Sequence, residues 1–355
     1  MENNKKKINK KTLILMIVII GMLVYSYIPA KYTNYNSKSK LNIVSSYGDD
    51  EAYHPKVLIF REKWNGYKYW MSYTPYPAGN CEMENPCIVA SNNLIKWETP
   101  EGLTNPLDDI SKDGDKNKYD SDAHIVYNSD LNRLECFWRY VDNNENRVII
   151  YRKYSTNGVD FSEKEIFIQS DDRSKNDYVS PAIIYENSKY KMWYVDHKQI
   201  EYMETADGKA WSEEKPVEVK YKGGKLYTWH IDVIKTEKGY EMITVAYQNV
   251  NNRKTMKLYY TYSESETENW TKAEKILDPT TRTNNWDNSG LYRSSMIYEN
   301  GVYIVFYSGR STSNDHGIGI VYGKNIKKLK SVSINFKDRE ETNDLLDLIN
   351  KYLED

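Results

Sequence analysis

Cysteine is scarce, with three residues in a chain of 355. That is too few for a disulfide scaffold or a four-cysteine zinc site. Charge of one sign is also missing. Lys and Arg number 49 against 51 Asp and Glu, a formal net charge of −2, so no basic field exists to hold nucleic acid. There is no P-loop, dinucleotide fingerprint, HExxH or G-x-S-x-G element, which removes the usual local signatures of nucleotide, zincin and serine-hydrolase chemistry. Glycine is modest at 17, and helix-like stretches are rare before residue 336. What is abundant is Tyr (33) and Trp (9), enough aromatic material for a real core and against a disordered chain.

One long apolar run is present. Residues 12–30, TLILMIVIIGMLVYSYIPA, carry no charge and follow Lys5, Lys6, Lys7, Lys10 and Lys11. Nineteen helical residues span roughly 28 Å, close to the bilayer core. The run reads as a single-pass transmembrane anchor with its N-terminus inside and the remaining chain extracellular; a cleaved signal peptide is the other reading. Residues 31–48 read as a polar stalk, and no lipid-bearing cysteine follows the run. Cys81 and Cys87 lie six apart, so an exported domain offers either one disulfide or free thiols; Cys136 sits in an apolar run and reads as buried.

From residue 49 to 335 the pattern is strands. Five segments share one layout: HPKVLIF from His54, DAHIVY from Asp122, SPAIIY from Ser180, HIDVI from His230 and RSSMIY from Arg293. Each is followed by a turn, an aromatic strand, a third strand and a tight turn ending at Trp97, Phe161, Trp211, Trp270 or, in a degenerate fifth copy, Leu329. Five repeats of 50–68 residues, each with three or four strands, predict an all-β, five-bladed β-propeller preceded by the transmembrane helix. The periodic aromatic residue is expected to wedge between blades. Leu41–Val44 are expected to supply an outer strand to the last blade, and residues 336–355 an amphipathic helix on the outside.

In such a ring the first strand of each blade lines the channel. His54, Asp122, Ser180, His230 and Arg293 are therefore expected at one mouth, with Lys56, His124, Ala182, Asp232 and Ser295 two residues deeper. A converging polar ring is the natural site candidate. Rim candidates are Tyr76, for stacking on a sugar ring, Glu84, Asp196 and Arg310. Trp138 either shapes a pocket or is core. The stretch 108–122 contains Asp113, Asp115 and Asn117 like the start of a calcium loop, but Lys118 and His124 stand where that loop needs Gly and Glu. It reads as a solvated loop, with no metal or other cofactor assigned, although a channel calcium remains open.

The five blade-start motifs, over about residues 50–330, resemble the five-bladed propeller glycosidases: glycoside hydrolase family 43 and relatives, among them fructosidases and mannoside phosphorylases. The resemblance implies three carboxylates at the mouth. Asp122 matches an inner-strand acid in blade 2, and Asp232 holds a similar place in blade 4. His54 stands where these families have an Asp in blade 1, with Asp49, Asp50 and Glu51 just before it. Blade 3 offers Ser180-Pro181-Ala182 and no Glu, so Glu84 is the substitute general acid. The expected function is a glycoside hydrolase acting on extracellular or cell-envelope glycan, with catalytic Asp122, Asp232 and Glu84. His54, His124, Tyr76, Trp138, Asp196, His230, Arg293 and Arg310 are expected to bind substrate, and inversion is the expected outcome. Two alternatives stay open: a phosphate-dependent phosphorylase using the positive patch of His54, His230 and Arg293, and a carbohydrate-binding propeller without catalysis.

Overall fold

The computed structural model describes Lys11, Asn36 and residues 39–253, 256–281, 285–332 and 344–354. The chain divides into two units, residues 1–33 and 34–355, and the second is a five-bladed propeller. Blade 1 comprises β1 (Ala52–Trp64), β2 (Tyr67–Pro75) and β3 (Cys87–Ser91). Blade 2 has β4 (Lys118–Asn128), β5 (Arg133–Asp142), β6 (Arg147–Ser155) and β7 (Glu165–Ser170). Blade 3 has β8 (Val179–Glu186), β9 (Lys189–Asp196), β10 (Gln199–Thr205) and β11 (Lys215–Val217). Blade 4 has β12 (Tyr227–Thr236), β13 (Gly239–Tyr247), β14 (Lys257–Ser263) and β15 (Glu274–Leu277). Blade 5 has β16 (Gly290–Glu299), β17 (Val302–Arg310), β18 (His316–Gly323) and β19 (Lys330–Ser331). Every sheet is an antiparallel meander.

A blade has two apolar faces and cannot bury both alone, so the hydrophobic effect stacks the blades radially. The five large core clusters are the five seams. The aromatic residue after the third strand crosses each one. Phe161 of blade 2 packs with Trp70 and Ile88 of blade 1, and Trp270 of blade 4 with Trp193 and Tyr202 of blade 3. Trp211 of blade 3 meets Phe167 of blade 2, edge to face at 5.1 Å, and Trp97 of blade 1 meets Phe306 of blade 5. Leu329, the degenerate copy, takes the same place between blades 5 and 4.

The seams also carry satisfied polar groups. The second-strand tyrosine of one blade donates to a carboxylate of the blade before it: Tyr190 to Glu135 at 2.9 Å, Tyr240 to Glu186 at 2.7 Å, and Tyr303 to Glu241 at 2.7 Å. Where blade 1 meets blade 5, Tyr69 donates to Asp344 at 2.8 Å, and Lys68 pairs with the same carboxylate. Asp344 also caps the C-terminal helix α1 (Leu345–Glu354) by accepting the amide of Leu346. Leu345, Leu346 and Ile349 are buried against blades 1 and 5.

Several expectations need correcting. Blade 5 has its own outer strand, β19. Leu41 and Ile43, expected as that strand and partly as stalk, instead fill the seam between blades 5 and 1, where the Leu41 amide donates to Ile318 O. Their apolar side chains gain more in that seam than at a solvated edge. The supposed loop 108–122 ends in strand, because β4 starts at Lys118 and buries Asp120 and Asp122. Cys81 and Cys87 are free, one exposed and one buried. Among the described residues no helix is long and apolar enough to cross a membrane. The described residues thus stand against the expected transmembrane helix, and against the membrane partner and the single-pass, extracellular placement that rested on it, by offering no such helix. The run 12–30 itself lies outside the described residues, as do 336–343 of the predicted C-terminal helix.

Candidate active site at the channel mouth

At each blade start the register between first and second strand slips. The breaks fall between Tyr53 and Lys56, Ser121 and His124, Val179 and Ala182, Thr228 and His230, and Tyr292 and Ser294. A bulge re-aims a side chain and bends the strand, so all five ring residues sit at or beside one. His54, Asp122 and Ser180 adopt φ of 53°, 55° and 53°, a left-handed backbone that non-glycine residues enter at a cost of about 1–3 kcal/mol each. Hydrogen bonds hold two of them there: the His54 amide donates to Ser308 Oγ at 3.0 Å, and the Ser180 amide to Asp122 Oδ2 at 2.9 Å.

The second ring has different work. Inner strands are sheet edges whose amides would otherwise face the channel unpaired. Asp232 Oδ2 accepts the amide of Met296 at 3.1 Å and Ser295 Oγ that of Val57 at 3.1 Å, and Ser180 Oγ of the first ring joins them by accepting that of Ile231 at 3.1 Å. Lys56 Nζ lies 2.6 Å from Asp232 Oδ1, both fully buried. His124 Nε2 lies 2.9 Å from Ile183 O, while its Nδ1 accepts from Arg293 Nη2 at 3.1 Å. These residues lace neighbouring blades together and have no spare valence at the mouth.

Three members of the first ring are the opposite. One coordinating atom each of His54, Asp122 and His230 lie within 4.8 Å of one another. His54 Nε2, both ring nitrogens of His230 and Asp122 Oδ1 are buried with no hydrogen-bond partner among the described residues. Nearest to Asp122 Oδ1 are His230 Nδ1 at 3.3 Å and Arg293 Nη1 at 3.4 Å. Buried polar atoms are normally paired, so this cluster is a set of donors without an acceptor for their lone pairs. Its protonation also suits a cation. Burial holds both imidazoles below their usual range despite the Asp122 charge. Burial opposes ionisation of Asp122, but His230, Arg293 and His54 outweigh it and hold the carboxyl well below the usual range. Two neutral imidazoles and one carboxylate are the ligand set of many divalent-metal sites. The orphaned atoms therefore fit a metal, where the sequence assigned none and left a channel calcium open. Arg293 donates to Pro181 O at 2.9 Å and braces Asp122 from behind.

Around this cluster lies a wall that sequence reasoning caught only in part. His54 Nδ1 is 2.7 Å from Thr74 Oγ1 and 3.3 Å from Glu84 Oε2. Glu84 sits on a rim segment tied to blade 5 through Asn314 and Ala78, and to Asp109 through Asn85. Burial and then the Asp122 charge push its carboxyl well above the usual range. Tyr53 stacks between Tyr76 (5.4 Å) and Tyr292 (5.2 Å), and Tyr292 meets the His230 ring at 4.3 Å. Thr74, Tyr53 and Tyr292 were missed. A signal existed, since an aromatic residue immediately precedes His54, His230 and Arg293 (Tyr53, Trp229, Tyr292).

Of the other sequence candidates, Trp138 is fully buried beside Tyr151, at 5.8 Å. Asp196, at the end of β9, accepts the Asp177 amide at 2.9 Å. Asp232 belongs to the lower belt. Arg310 stands at the mouth end of β17, and Tyr76 is half-buried beside it.

No protein-family model matches the chain. A curated relative, the A type blood N-acetyl-α-D-galactosamine deacetylase of Flavonifractor plautii, is 26% identical over 305 residues. The match takes in 72% of this chain, which spans only 39% of that relative's length. Among solved structures, an N-acetylgalactosamine deacetylase from F. plautii in complex with blood group B trisaccharide superposes with a TM-score of 0.70 at 23% identity, covering 82% of this chain and 94% of that one. An exo-1,5-α-L-arabinanase from a bovine ruminal metagenomic library gives 0.55 at 14% identity, covering 77% and 93%. A thermostable family-43 glycoside hydrolase gives 0.56 at 13% identity, covering 86% and 100%. At the level of fold, the chain is a five-bladed propeller similar to those of these carbohydrate-active enzymes.

Proposed function

We propose that this protein is a metal-dependent carbohydrate hydrolase that removes the acetyl group from an N-acetylated amino sugar. The observation that carries this reading is the trio His54, Asp122 and His230, buried, converging and with unpartnered ligand atoms. The similarity to a deacetylase over most of the chain supports it. A divalent cation held by the trio would supply Lewis-acid polarisation of the acetyl carbonyl.

The chain's own residues do the rest. Thr74 holds the His54 ring with Nε2 turned to the centre. Arg293 keeps Asp122 ionised and oriented. Glu84, 3.3 Å from the His54 ring, would manage protons: in its ionised form it takes one from water as water attacks, and returns one to the departing amine. Water's oxygen joins the acetyl carbon, the C–N bond breaks, and acetate and a free amino sugar leave. Tyr76 and Tyr292 offer ring faces to the apolar side of the sugar.

A second reading, glycosidic cleavage, has one observation in its favour: Glu84 is held above, and Asp122 below, the usual carboxylate range, the split an acid and a nucleophile need. Against it, Asp232 is spent on Lys56. One assay separates the two. The full chain is stripped with chelator, reloaded with manganese or zinc, and given N-acetylhexosamine glycosides. Acetate released only by the reloaded protein, and lost in Asp122→Asn, is expected. Release of reducing sugar, indifferent to chelator, would establish the glycosidase instead.

A further inference from the structure

At the mouth, where Glu51 lies 3.4 Å from His316, one guanidinium still lacks an ion-pair partner among the described residues. Arg293 faces Asp122, and Arg139 pairs with Asp177 at 2.5 Å. Arg310 has no carboxylate within ion-pairing distance among the described residues, and its Nε is buried without a partner. Register shows where it points. Arg310 pairs across strands with His316, so their side chains share one face of blade 5. His316 meets Tyr53 edge-on at 5.2 Å and Tyr76 at 4.8 Å. Arg310 therefore faces blade 1, towards the aromatic wall beside His54. The Tyr53 hydroxyl there is a second orphan, fully buried and unpartnered. A guanidinium fork and a phenol, both unspent and both next to the ring-stacking surface, ask for an oxyanion.

We propose that Arg310 and the Tyr53 hydroxyl form an anion subsite beside the reaction centre, so that the sugar acted on, or the unit next to it, bears a carboxylate, sulfate or phosphate. The subsite rests on the deacetylase reading only for the placement of the sugar. A neutral sugar could offer the guanidinium and phenol only hydroxyl oxygens, leaving the positive charge uncompensated in a half-buried site, and that difference is what makes a polar site discriminate. Half-burial also strengthens the attraction relative to open water.

The test is calorimetric titration of the full chain with galactose, glucuronic acid, galactose 6-sulfate and galactose 6-phosphate. Each is run with metal present and with chelator, because an anion can also ligate a metal. At least one anionic sugar is expected to bind about tenfold or more tighter than galactose, with and without metal. Arg310→Met should bring that ratio close to one, and Arg310→Lys should keep part of it, retaining charge but losing the fork. Which of the three anions leads identifies the substituent. Equal binding of all four sugars overturns the subsite. So does a preference that survives in Arg310→Met or appears only with metal. Acetate release is followed in parallel. An anion preference without acetate release removes the deacetylase reading and leaves the subsite standing, whereas acetate release without preference removes the subsite alone.

Discussion

The blade seams and the channel mouth are built from the same residue types and end in opposite states. Both hold buried carboxylates, tyrosines and cations. In the seams most of these groups satisfy one another, although Glu135 Oε2 and Arg152 Nε, between blades 2 and 3, keep no hydrogen-bond partner among the described residues. Glu241 accepts from Tyr260, Tyr303 and Thr236, and Lys191 reaches Glu186, Glu266 and Tyr240 within 2.8 Å. At the mouth, His54, His230, Asp122, Tyr53, Arg293 and Arg310 all keep at least one buried atom without a partner. Burying polar atoms unpaired costs free energy, so a chain does it where a ligand completes the set. What sets the mouth apart is that its unpaired atoms converge on one point.

The difference is open to attack from both sides. The largest effect should come from a seam. Glu241→Ala strands three donors in a closed site and should destabilise the fold by about 3 kcal/mol. Denaturant unfolding measures it, and the folded fraction should keep its full specific activity. A loss below 1 kcal/mol would mean that the seam networks are not holding the blades. Next is Thr74→Val at the mouth. It removes the partner of His54 Nδ1 and should weaken metal affinity about 10- to 100-fold, with stability changed by less than about 1 kcal/mol. Metal titration and unfolding on the same sample would show it, and an unchanged affinity would exclude Thr74 as the positioning residue.

The smallest effect is one of pH. Burial raises the Glu266 carboxyl, but Lys191, its own amide and Tyr240 outweigh it and bring it to about 2. Glu186 is lowered too, burial being outweighed by Lys191 and Tyr240. A carboxyl depressed in the fold stabilises above its unfolded value near 4.5 and loses that stabilisation as pH falls towards about 2. Thermal midpoints should therefore drop across that window, and Glu266→Gln should flatten the slope. A slope unaffected by the substitution would place the acid sensitivity elsewhere.

The ring closure adds a lesson about reading repeats. Three seams use a carboxylate from the preceding blade, and the seam between blades 5 and 1 uses another source. Asp344 supplies it from outside the repeat, and Leu41 and Ile43 fill the apolar gap. The tyrosine at position 69 repeats those at 190, 240 and 303. Its partner breaks the pattern and so is invisible to a search for periodicity.

Local pattern was enough for the architecture. Short aromatic strands, turns at regular intervals and a wedge residue per repeat determine a propeller, because each blade's two apolar faces permit only radial stacking. The same repeats place His54, Asp122, Ser180, His230 and Arg293 at one level of the channel. They cannot tell that level from the one two residues deeper. Asp122 and Asp232 read alike as inner-strand acids, yet one faces two neutral imidazoles and the other is consumed by Lys56 and a backbone amide. That choice depends on five bulges whose dihedral angles leave no mark in composition, and on pairings between residues more than a hundred positions apart. The sequence by itself therefore determined the ring and its members. Which members stay unsatisfied, and so are free to bind and react, was decided only when the five blades closed on one another and their side chains competed for the same partners.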